Sequence, residues 1–104
     1  MNKIALRSQD LSILRDIFKK YFTSSVDIWA FGSRVKQSAR QYSDLDLLID
    51  YQHQPLPHRL LTQILSDLEE SDLPFRVDIV DWNAINNSFR TQISQDKQLL
   101  YTLA

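Results

Sequence analysis

Asp44 and Asp46 bracket a single leucine in the run Ser43-Asp44-Leu45-Asp46-Leu47. In an extended strand that spacing sends both carboxylates off one face, about 7 Å apart at the backbone, while Leu45, Leu47 and Ile49 take the other. Carboxylates placed side by side repel each other unless a cation lies between them, and hard oxygen ligands of this kind suit magnesium or manganese. Asp78, within Val77-Asp78-Ile79-Val80-Asp81, can complete a set of three. Taken alone, Asp-Leu-Asp reads as a solvated strand face, so its meaning depends on what stands beside it.

What stands beside it is Gly32-Ser33. Average usage would give a chain of 104 residues about seven glycines. This one has a single glycine, placed where the apolar run Val-Asp-Ile-Trp-Ala-Phe ends. A glycine there permits close backbone approach, and the amides that follow can receive an anion. The plainer role of the pair is a strand-to-helix turn capped by Ser33. Beside a divalent-cation site, however, a phosphate seat completes a nucleoside triphosphate pocket, and Arg34 and Lys36 read equally as residues that assist it or as a solvated basic turn alongside Arg40.

Composition removes the competing chemistries. There is no cysteine, so disulfides, thiolate zinc sites and cysteine nucleophiles are impossible. One glycine cannot build a P-loop or a dinucleotide fingerprint. His53 and His58 make a poor metal site without carboxylates, and His58 reads as an exposed residue at a helix start. A net charge of -1 supplies no general field for nucleic acid. The N-terminus lacks a signal-peptide apolar run and no stretch is long enough to span a bilayer, so a cytoplasmic protein is expected.

The elements that must position these residues follow from periodicity. Leu11, Leu14, Ile17, Phe18, Tyr21 and Phe22 recur at helical spacing, with Ser8 or Asp10 as the cap. Residues 26–31 and 45–51 read as strands, and 34–43 as a short polar helix between them. After a loop with Pro55 and Pro57, residues 58–68 form a second amphipathic helix. Residues 75–81 form a third strand, and 83–104 read as mainly helical. Trp29 and Phe31 alternate with Ile28 and Ala30, which suits a strand buried on both faces. Asp50 and Asp81 read as surface carboxylates. The sum is one α/β (α+β) domain over 1–104 with a small sheet flanked by helices.

Gly32-Ser33, ten intervening residues, Asp44-Leu45-Asp46 and then Asp78 resemble the signature of the DNA polymerase beta-like nucleotidyltransferase superfamily. Phe31-Gly32-Ser33-Arg34 and Ser43-Asp44-Leu45-Asp46-Leu47 look like its minimal, antitoxin-type members, which pair with a helical partner of the HEPN type. The resemblance covers nearly the whole chain and implies a polymerase beta-like fold with a mixed sheet. It also implies two magnesium ions held by Asp44, Asp46 and Asp78, and transfer of a nucleoside monophosphate, AMP from ATP, to a partner hydroxyl. Gly32, Ser33, Arg34 and Lys36 then hold the phosphates. Members often carry glycine where this chain has Gln37, which implies a stiffer loop over the triphosphate. The resemblance further implies a hetero-oligomer, a toxin–antitoxin pair. Two other readings are a binding subunit that only occludes its partner, and transfer to a small molecule such as an aminoglycoside. The apolar tail Leu99-Leu100-Tyr101-Thr102-Leu103 is expected on its own sheet rather than on that partner.

Overall fold

The alternation of Val26, Ile28 and Ala30 with Asp27, Trp29 and Phe31 fits a pleated strand, and β1 spans Val26–Phe31. β2 (Leu45–Asp50) pairs with it antiparallel, and β3 (Val77–Asp81) pairs with β2 in parallel. The computed structural model describes residues 4–23, 25–36, 40 and 43–103. Within them the sheet is mixed, with four strands in the order β3-β2-β1-β4.

β4 (Gln98–Leu103) corrects the expectation that residues 83–104 are mainly helical. The segment divides into a 3-10 turn at Trp82–Ala84, a helix α3 at Asn87–Ser94 capped by the Asn86 side chain, and this strand. β4 runs antiparallel to β1 with a register shift, since Ile28 lies opposite Tyr101 and Trp29 opposite Leu99. The extra residue, Leu100, breaks the two-residue alternation that would have marked a strand. The tail therefore packs on its own sheet, as expected of it. The Tyr101 hydroxyl also donates to the Leu11 carbonyl of α1, the helix over Ser8–Tyr21.

The core lies between the sheet and two helices. Leu14 and Phe18 of α1 and Ile64 and Leu68 of α2 (His58–Glu69) cover Val26, Ile28, Ala30, Leu45, Leu47, Ile49 and Val77. Lys20 and the Tyr21 hydroxyl both donate to Asp67, which clamps one helix to the other. α1 begins at Ser8, two residues before Asp10, and Arg7 stands at the N-cap position, so neither Ser8 nor Asp10 is the cap expected. The Asp10 carboxylate accepts from the Arg7 backbone at 3.1 Å and from its guanidinium at 2.7 Å. Those bonds hold the Asp10 carboxyl below its ordinary range although it is buried.

The other face of the sheet carries Trp29, Phe31, Asp46, Leu48 and Asp78, one strand step away from the core positions. Lys97, just before β4, places its ammonium 4.4 Å from the centres of both the Trp29 and Trp82 rings. Trp29 and Phe31 are half-buried, so β1 is fully buried on the core face only and not on both faces as expected. Asp50 and Asp81 are not free surface carboxylates. Asp81 accepts from the amides of Leu56 and Asn83, while Asp50 accepts from the Asn83 side chain and the His53 amide. His58 is exposed at the start of α2, as expected. Among the described residues no helix is long and apolar enough to cross a membrane.

Candidate active site

The two-residue alternation places Asp46 where the sequence requires it, on the face away from the core. The parallel register then sets Asp78 of β3 directly beside it. Asp44 stands two residues before Asp46, at the exposed entrance to β2. Burial, first, and then the charges of Asp78 and Asp44 push the Asp46 carboxyl above its ordinary value. Such a donor set, negative and all oxygen, fits a hard divalent cation. Among the described residues no three acidic or imidazole groups converge into a closed metal cage. Asp78 pairs instead with Arg76, at 3.4 Å. Nothing in the sequence pattern marks Arg76 for this position.

Gly32 ends β1 directly over this cluster. Its φ is +79°, and a Cβ built there would lie 2.3 Å from the Asp46 Oδ2 atom. Backbone conformation and space both demand glycine, so the single glycine of the chain is spent on admitting the Asp46 carboxylate against the turn. The Gly32 carbonyl accepts the amides of Val35 and Lys36, each at 3.1 Å, and Ser33 sits half-buried in that turn. The described part of 34–43 is this turn and not the short helix expected. Gln37 lies outside the described residues. Gly32→Ala is expected to cost about 1–3 kcal/mol of stability through the strained φ and the clash, read as a lowered denaturant midpoint.

The family model for polymerase beta nucleotidyltransferases matches residues 13–103. The chain belongs to this family. A relative from Haemophilus influenzae, named "Probable protein adenylyltransferase MntA", is 39% identical over 88 residues, which cover 85% of this chain and 75% of the relative. The fold recurs in a solved toxin–antitoxin structure with AMP-PNP, at a TM-score of 0.73 and 18% identity, covering 88% of this chain and 73% of that one. It recurs again in the complex of a tri-AMPylated HEPN toxin from Shewanella oneidensis with its MNT antitoxin, at a TM-score of 0.68 and 18% identity, covering 92% and 72%. The mixed sheet with helices is thus the polymerase beta nucleotidyltransferase fold.

Within this nucleotidyltransferase frame, Arg34, one of the two basic residues expected at the phosphates, is engaged elsewhere. Arg34 is only 6% exposed. Its guanidinium donates to the Ser43 carbonyl at 3.0 and 2.7 Å and to the Ala5 carbonyl at 2.8 Å, and it stacks 4.0 Å over the Phe75 ring. That placement does not serve phosphate binding. It ties the Gly32 turn to the N-terminal segment and to the residue just before Asp44. Burial lowers the Arg34 guanidinium from its ordinary value, opposed by the charges of Asp10 and Asp44. Because lysine cannot reproduce a planar fork, Arg34→Lys is expected to destabilise the domain by about 1–3 kcal/mol, measured by urea unfolding. Lys36 is exposed at the rim and pairs with Asp96 at 3.4 Å, between the turn and the start of β4. That pair joins residues 60 positions apart and left no local signal in the sequence.

Proposed function

We propose that the chain is a magnesium-dependent adenylyltransferase that moves AMP from ATP to a hydroxyl of a helical HEPN-type partner protein, as the antitoxin of a toxin–antitoxin pair. One observation carries the reading. A glycine turn without room for a Cβ closes onto the Asp46 carboxylate, and Asp78 stands beside it in register. A purely occluding subunit would have no use for a carboxylate held against a glycine turn with the charges of two further aspartates pressing on it. The relative named as an adenylyltransferase and the fold it shares with AMPylated toxin complexes support the same reaction.

Asp44, Asp46 and Asp78 would hold magnesium, which when bound neutralises triphosphate charge and makes a nearby hydroxyl more acidic. The Gly32–Ser33 turn receives the β- and γ-phosphates, where backbone donors and the serine hydroxyl meet the charge that grows on the leaving group. The acceptor oxygen attacks the α-phosphorus, its bond to phosphorus forms as the α–β bridging bond breaks, and pyrophosphate departs. The Asp78 carboxylate, at the edge strand and 43% exposed on its side chain, takes the hydroxyl proton. Arg34 keeps the turn and the Asp44 strand entrance in place without touching the nucleotide.

The test is intact-mass analysis of a HEPN-type protein from the same genome after incubation with this chain, ATP and magnesium. Whole AMP increments are expected on the partner. No increment, together with stoichiometric suppression of the partner in the absence of ATP, would leave only an occluding subunit.

A further inference from the structure

β3 is a terminal strand of the sheet, and among the described residues nothing pairs with its outer side. Its register fixes which groups are left open. The Leu45 amide donates to the Arg76 carbonyl, so in a parallel ladder the groups of Asp78 and Val80 also turn toward β2. Val77 and Ile79 therefore direct their N–H and C=O groups outward. Along the same edge, on the α2 side of the sheet, runs an open groove of about 650 Å³. Leu65, Leu68, Leu73, Phe75 and Ile79 give it apolar walls, and Glu69, Arg76 and Asp78 add charged groups to its lining.

We propose that this edge takes an extended segment of the acceptor protein as an added strand. A hydroxyl-bearing residue lies opposite Asp78, and the apolar residues immediately before and after it lie in the groove beside α2. The inference rests on the adenylyl-transfer reading and names the segment that site accepts. Alternation in the added strand dictates the pattern. The residue opposite Asp78 shares its face, within about 5.5 Å at Cβ, so its hydroxyl meets the carboxylates. Its two neighbours point to the other face, where the Leu65 and Leu73 walls replace water around them. Outward main-chain groups at Val77 and Ile79 supply the affinity that does not depend on sequence. A second copy of this chain fits the edge less well, because β3 against β3 would bring together the acidic Asp78 and Asp81 of both strands.

Two nine-residue probe peptides test this, one with Val-Tyr-Val and one with Asn-Tyr-Asn at its centre. With ATP and magnesium the Val-Tyr-Val peptide is expected to take AMP with a KM about 10-fold or more below that of its polar counterpart. Without nucleotide it should slow amide exchange at Val77 and Ile79, read by nuclear magnetic resonance. Leu65→Glu, which puts a charge in the groove, should erase the peptide preference and raise the KM for the intact partner, with ATP affinity by calorimetry unchanged. Leu73→Asn provides the same reading should Leu65→Glu lower the melting temperature. Equal KM values, unchanged exchange at Val77 and Ile79, or a concentration-dependent dimer through this edge would overturn the inference and leave adenylyl transfer standing. Absence of both ATP binding and transfer to the partner would overturn the two together.

Discussion

Asp46→Asn is expected to melt at a higher temperature than the native chain in metal-free buffer at neutral pH, and to lose nucleotide transfer by about 1,000-fold or more. The two effects have one cause. Burial and the charges of Asp78 and Asp44 hold the Asp46 carboxyl above its ordinary value, so the ionised group opposes folding. The sign follows from proton linkage. Just above the unfolded value the native state keeps the proton that the unfolded state has released, so stability falls as pH rises until the folded value is passed, and is flat beyond it. Asparagine has nearly the same shape and no charge, and should also fit under Gly32 without a Cβ in its way. The gain is a few degrees, on a scale of about 4–8 °C per kcal/mol for a domain of this size, and it should vanish as the pH is lowered below the ordinary carboxylate range. Magnesium is expected to reverse the order: by binding the folded state alone it should raise the native melting temperature and move the variant much less. Differential scanning calorimetry with and without magnesium at two pH values reads all of this, and a variant that melts below the native chain in metal-free buffer would sink the account of Asp46.

The strand face was legible because a period of two leaves little choice. Once Leu45, Leu47 and Ile49 are inside, Asp46 is outside, and Val77 and Ile79 fix Asp78 in the same way. Gly32 was legible by scarcity, and its position against Asp46 gives that scarcity a steric reason. β4 was not legible, since the bulge at Leu100 erases alternation and the strand depends on β1, some 70 residues earlier. The same distance hid the basic residues. A run of arginine and lysine next to a phosphate turn looks like phosphate chemistry, yet Arg34 finds the carbonyls of Ala5 and Ser43, and Lys36 finds Asp96. Local pattern reports which face a side chain takes. It carries no information about a partner brought there by the fold, and for the same reason Arg76 beside Asp78 and Lys97 between two indoles went unnoticed.

Asp78→Asn should separate binding from chemistry. Asp46 lies deepest, against the Gly32 turn, whereas Asp78 stands on the terminal strand with its side chain paired to an exposed Arg76. On the proposed reaction the triphosphate would be held from the Gly32 side and the acceptor would arrive from the β3 side, so Asp78 would act on the hydroxyl more than on ATP. An interaction realised mainly in the transition state lowers kcat when removed and leaves ground-state affinity in place. Calorimetric affinity for magnesium-ATP should therefore stay within about 5-fold of native while transfer to the partner falls about 1,000-fold or more. Folding should not be weakened by more than about 1 kcal/mol, because the neutral amide at a half-exposed position loses a surface ion pair while relieving part of the repulsion on Asp46. Loss of ATP affinity in parallel with loss of transfer would place Asp78 with the nucleotide, and would return the acceptor side of the site to Asp44.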